Sequence, residues 1–170
     1  SLIIMKRKKG IIAECIDGED SLVSLDRIAA CGFESTFTGR YDIETVEKIA
    51  NKCLRLGLGL EFIHAPFGGI NNMWLPGDDF KGIYCGMIQS VDSAAATGIG
   101  AIVAHISSGW KAPEICDEGL KRYDALVEYA AKKNVVVAFE NLRKVGNVAY
   151  FVDRYEDADN VKFCYDCGHE

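Results

Sequence analysis

Five side chains able to bind a cation or move a proton stand where apolar runs give out: His64, His105, Glu140, Asp166 and His169. Glu140 closes the run Val135–Phe139, and Asp166 lies in Val161–Cys167. Both runs are β-branched and aromatic and read as buried strands. Side chains alternate along a strand, so Val136, Ala138 and Glu140 share one face, as do Cys164 and Asp166. On neighbouring strands the two carboxylates would sit roughly 5 Å apart. Two anions that close on apolar strands need a shared proton or a cation, and a divalent metal is the natural partner. Alternation also places Leu60, Phe62 and His64 on one face, and Ala101, Val103 and His105 on another. A lone histidine is commonly a satisfied core or rim residue. Here all three histidines of the chain fall at strand ends beside the two carboxylates, which favours a common site.

The elements that must carry these residues alternate strictly. Strands are predicted over 10–16, 33–38, 58–66, 99–107, 135–141 and 161–167, each bounded by Gly, Pro or Asn signals. Helical spacing of apolar residues marks the segments between them: Leu22–Ala29, Tyr41–Leu56, Ile83–Ala95, Leu120–Ala130 and Val148–Tyr155. One helix between successive strands implies a parallel sheet. Regular units and the lack of a Gly-x-Gly-x-x-Gly opening favour an α/β fold of the (β/α)8 TIM-barrel type, here with about six β/α units. Its predicted inner face carries Leu60, Phe62, Val103, Val136 and Ala138. In such a barrel the C-terminal ends of the strands, where the five residues lie, build the site. The long loop Phe67–Asp79 and the loop Ser108–Pro113 would cover it, with Phe67, Trp74 and Trp110 placed to stack on a ligand. Asn141 would orient a ligand or donate to substrate, and Glu14 is a weaker candidate for the barrel interior.

Composition narrows the class. The chain has 170 residues, 49% of them hydrophobic, enough for one sizeable core, and residues 1–170 read as a single domain. With 25 acidic against 19 basic residues, net charge −6, it is poorly suited to a phosphate backbone. The basic run Lys6–Lys9 reads as a solvated end. Seven scattered cysteines fit a reducing compartment, with Cys15, Cys31, Cys53, Cys85 and Cys116 as core or near-core residues. Cys164 and Cys167 form a C-x-x-C, but in one strand they would face opposite sides, which argues against redox or zinc chemistry. No apolar run reaches membrane-spanning length and no signal-peptide pattern is present, so a cytoplasmic location is expected.

Ile63–Phe67, Val103–His105, Phe139–Leu142 and Tyr165–His169, as Ile-His-Ala-Pro-Phe, Val-Ala-His, Phe-Glu-Asn-Leu and Tyr-Asp-Cys-Gly-His, resemble the xylose isomerase-like TIM-barrel superfamily, and within it the sugar phosphate isomerase/epimerase group. The resemblance implies Glu140 and Asp166 as metal ligands, with Glu140 also active in proton transfer. His169 would contact the substrate oxygen, and His64 and His105 would line the pocket. It implies Mn²⁺ or Zn²⁺, with Mg²⁺ or Co²⁺ as alternatives, and a sugar or sugar phosphate isomerised or epimerised through an enediolate. The same superfamily contains endonuclease IV, a metal-dependent DNA repair nuclease, and polyol dehydratases; acidic composition weighs against a nucleic-acid partner. Family members have eight strands, whereas this chain stops after the sixth. The expectation is therefore a truncated barrel, inactive alone, associating with copies of itself through its open edge.

Overall fold

In the computed structural model, residues 7–169 are described, and the first strand begins just after the exposed residues Arg7, Lys8 and Lys9. Lys6 of the basic run lies outside the described residues. Six parallel strands form one sheet in sequential order: β1 (Gly10–Ile12), β2 (Ser35–Thr38), β3 (Gly59–His64), β4 (Ala101–Ala104), β5 (Val136–Glu140) and β6 (Val161–Cys164). Five α-helices alternate with them: α1 (Ser21–Ala30), α2 (Ile43–Leu56), α3 (Lys81–Thr97), α4 (Asp117–Lys132) and α5 (Val145–Arg154). Every strand pair is parallel, β1 and β6 form the two edges, and the TIM-barrel-like sheet is not closed. No helix among the described residues is long and apolar enough to cross a membrane.

Local chemistry sets the helix ends. The Asp20 carboxylate accepts from the Leu22 amide at 2.7 Å to start α1, and Asp42 accepts from Thr45 at 2.9 Å to start α2. Gly57 ends α2 in the left-handed region at φ 70°, which a glycine adopts without a Cβ penalty. Outward-facing strand residues Ile63, Ile102, Ala104, Val137 and Phe139 are buried against the helices. A second cluster, Ala13, Leu25, Ile28, Ile49, Cys53 and Leu58, fills the space under α1 and α2.

The strands are shorter than the apolar runs that encode them, for identifiable reasons. At the start of β4, Ile99 bonds back to the Ala94 carbonyl and Gly100 turns at positive φ, so pairing begins only at Ala101. At its end the chain leaves the ladder after Ala104, and the freed carbonyls find side-chain donors. The Tyr123 hydroxyl donates to His105 and Ile106 at 3.1 and 2.9 Å, and the Trp74 indole donates to Ile106 at 2.7 Å. β1 stops at Ile12 because the chain turns there. The Glu14 carboxylate beyond it accepts from Ser21, Thr38 and the Gly39 amide, so it ties β1, α1 and β2 together rather than opening into the interior.

Two predicted placements are corrected. Phe62 and Val103 face the inner cleft as expected, but Leu60 packs outward with the α1–α2 cluster. The cause is a register shift: Thr36 pairs with Leu60 but Thr38 pairs with Ile63, so β3 carries one extra residue and its alternation changes hand. Cys15, Cys31 and Cys85 are exposed and only Cys53 is buried. Cys15 falls in the turn beyond the shortened β1, and Cys31 is the C-terminal cap of α1.

The predicted covering loop holds a 3₁₀ turn, Ile70–Trp74, which sends Trp74 into the core. There it packs on Tyr123 and Phe151 at ring separations of 5.3 and 6.0 Å. α4 approaches so closely that a Cβ at Gly119 would enter the envelope of the Trp74 ring. Gly119→Ala is therefore expected to destabilise the fold by about 1–3 kcal/mol through overpacking, seen as a lowered denaturation midpoint at unchanged slope. An unchanged midpoint would mean that the ring does not fill this position.

Candidate functional site

The inward-facing residues at the C-terminal ends of β3 to β6 line a cleft of about 430 Å³. His64 ends β3, His105 follows β4, Glu140 ends β5, and Asp166 and His169 follow β6, so parallel neighbours bring all five together. Glu140 is the centre of the group and only 5% exposed. Its Oε2 faces His105 Nε2 at 2.9 Å and His64 Nε2 at 3.1 Å. On the other side, His169 Nδ1 lies 3.6 Å from Glu140 Oε1 and 3.7 Å from Asp166 Oδ2.

These contacts decide the charges. Burial by itself would raise the Glu140 pKa, but the bonds from His105 and His64 hold it well below the usual carboxylate range. Burial likewise disfavours a charged His64. The bonds from that ring to Glu140 and to the Ala65 carbonyl, at 2.9 Å, outweigh this and raise its pKa. The site thus holds an ionised Glu140 opposed by a ring inclined to carry positive charge.

Asn141, next in chain to Glu140, bonds the backbone that follows β6. Its amide nitrogen donates to the Asp166 carbonyl at 2.8 Å and its side-chain oxygen accepts from the Asp166 amide at 2.6 Å. Its own carbonyl accepts from His169 Nδ1 at 2.9 Å. The Asp166 carboxylate accepts from the Gly168 amide at 2.6 Å, which forms the short turn Cys167–His169. Asn141 therefore sets the position of both Asp166 and His169. Since His169 Nδ1 donates to a carbonyl, its Nε2 is the nitrogen left for a substrate or an ion.

The β6 end also corrects the reading of Cys164 and Cys167. The strand stops at Cys164 and the turn brings both thiols to the same cleft. Burial, with Glu140 and Asp166 nearby, pushes the Cys164 thiol up to about 11, so it is no ready nucleophile.

Of the stacking candidates, only Phe67 lines the cleft. It is half exposed and stacks on the His105 ring at 4.5 Å and 22°. Trp74, expected above the site, is 4% exposed inside the core, with its indole bonded to Ile106. Trp110 is 75% exposed, with the Arg143 guanidinium 5.5 Å from its ring, and is not among the cleft-lining residues. The positioning roles of Trp74, Tyr123 and Asn141 were missed from sequence. Their partners are main-chain atoms that no motif records.

The donor set fits a divalent ion. Ligand atoms of Glu140, Asp166 and His169 lie within 4.8 Å of one another, two of them carboxylates suited to Mn²⁺, Mg²⁺ or Zn²⁺. His64, His105 and Glu140 form a second such group.

A parallel, TIM-barrel-like sheet with acidic and imidazole groups at its strand ends defines the class, and comparison with known proteins identifies the family. The chain belongs to the xylose isomerase-like TIM barrel family, whose model matches residues 25–170. It is similar in structure to 3-keto-D-glucoside 4-epimerase from E. coli, with TM-score 0.75 and 17% identity over 96% of this chain and 70% of that one. A D-tagatose 3-epimerase-like protein gives TM-score 0.74 and 18% identity over 96% of this chain and 66% of that one. A xylose isomerase domain protein from Planctomyces limnophilus gives 0.72 and 16%, over 95% and 64%. The chain thus spans about two thirds of the length of these structures. No curated protein matches the sequence.

Two outcomes test this geometry. Asn141→Ala should weaken Mn²⁺ binding about 10- to 100-fold by calorimetry, as expected when a group that orients a ligand is lost; unchanged affinity would show that Asp166 holds its place without it. The depressed Glu140 pKa contributes stability that is present above its ordinary value of 4.5 and lost as pH falls. Acid unfolding of Glu140→Gln should accordingly be less steep below about pH 4.5 than that of the unaltered chain.

Proposed function

We propose that the protein is a metal-dependent isomerase or epimerase of a sugar or sugar phosphate, acting by proton transfer next to a carbonyl. The observation that carries this reading is the convergence of Glu140, Asp166 and His169 at the C-terminal end of a parallel barrel sheet. Similar structures named as a D-tagatose 3-epimerase-like protein and a 3-keto-D-glucoside 4-epimerase support the choice of substrate class.

Glu140 and Asp166 would hold the ion, which would supply positive charge against an oxygen anion next to the C–H that loses its proton. Glu140 is ionised across the working pH range and so stands in the proton-accepting form. Asn141 keeps the Asp166 turn and the His169 ring in register with it. His169 Nε2, left open by the bond from Nδ1 to Asn141, meets a substrate oxygen. Phe67 covers the imidazole side and limits water there.

Incubating the Mn²⁺-supplemented full-length protein with a ketose and ketose-phosphate panel in D₂O should place deuterium at the carbon beside the carbonyl, and Asp166→Asn should lower the rate at least 100-fold. Cleavage of a duplex carrying an abasic site, with no exchange into any sugar, would instead favour a nuclease related to endonuclease IV.

A further inference from the structure

The two ion-competent groups around Glu140 differ in one buried atom. His64 and His169 each place Nδ1 against a main-chain carbonyl at 2.9 Å, Ala65 and Asn141 respectively. In His169 that bond fixes the proton on Nδ1 and leaves Nε2 as a lone pair, which is how a metal-binding histidine is held, whereas in His64 Nε2 is also engaged, donating to Glu140 Oε2 at 3.1 Å. His105 has no counterpart. Its Nδ1 is buried and has no hydrogen-bond partner, and it is the one such side-chain atom among the described residues. Phe67 stacks on the ring at 4.5 Å, and the residue is 6% exposed.

If His105 bound an ion through Nε2, its proton would move to Nδ1 and lie buried without an acceptor. An orphaned N–H of that kind is costly. With the proton on Nε2 instead, the ring donates to Glu140 Oε2 at 2.9 Å and only a lone pair is left unpaired. We propose that His105, with His64 beside it, is a positioning residue that donates to one oxygen of Glu140. It is neither a metal ligand nor a substrate contact, and the site holds one ion, not two. The pair occupies Oε2 and turns the free oxygen, Oε1, toward Asp166 and His169.

This rests on the one-ion reading of the site given above, so the test separates the two. Nitrogen NMR on the metal-free ¹⁵N-labelled chain should show His105 protonated at Nε2 and bare at Nδ1. Calorimetry with Mn²⁺ and Zn²⁺ should give one ion per chain. His105→Leu should weaken binding about 10- to 100-fold without changing the stoichiometry. His105→Gln, whose amide N–H can replace the lost donor, should recover most of it. A proton on Nδ1, or a second ion that disappears in His105→Gln, would overturn the proposal. If no ion binds, the metal reading fails, while the tautomer in the metal-free chain still decides the role of His105.

Discussion

A buried carboxylate at the end of a central strand is the constraint on which the rest of the site depends. Glu140 is almost wholly excluded from water and remains ionised, which is tenable only while donors surround it. The donors come from His64 and His105 at the ends of the two preceding strands, β3 and β4. Parallel order is what makes this available. Each β/α unit returns the chain in the same direction, so successive strand ends collect on one side of the sheet.

Holding those ends to bonding distance requires rigidity just past the ladder, where backbone groups lose their sheet partners. Around β4 that need is met by Tyr123 and Trp74, whose hydroxyl and indole take the His105 and Ile106 carbonyls. Around β6 it is met by Asn141, whose side chain mimics one more rung of the sheet by pairing with both main-chain polar groups of Asp166. The Arg122 guanidinium does similar work behind the site, donating to the carbonyls of Asn72, Met73 and Leu75. The covering loop is thereby fixed against α4, and Phe67 is carried on a held segment. Core packing and site geometry are one problem here: the same Trp74 ring that fills the space over Gly119 bonds the chain beyond His105.

Much of this was legible in residue order. Alternating apolar periodicity marked all six strands and five helices, and the same pattern placed the polar residues at strand ends. Boundaries were less legible, because apolar runs continue past the last rung. Ile99 and Ile106 are as hydrophobic as the strand between them, yet one closes α3 and the other accepts from the side chains of Tyr123 and Trp74. Trp74 shows the same limit. Its loop setting and amphipathic ring suggested a ligand platform, but the adjoining 3₁₀ turn and the bare surface of Gly119 gave it a core position.

Sequence by itself determined which residues share a strand face, because alternation is a local property of extended backbone. It thereby determined that Glu140, Asp166 and the three histidines stand at one end of a parallel sheet. Tertiary structure alone decided where alternation fails: the extra residue in β3 turns Leu60 outward while His64 still faces in. It also decided which atoms of each imidazole are engaged, since that depends on whether a carbonyl of the folded chain lies within reach of Nδ1. Ala65 and Asn141 offer one to His64 and His169, and the packing of Phe67 over β4 offers His105 none. Ring type is the same in the sequence for all three; acceptor geometry, which is non-local, makes them chemically different.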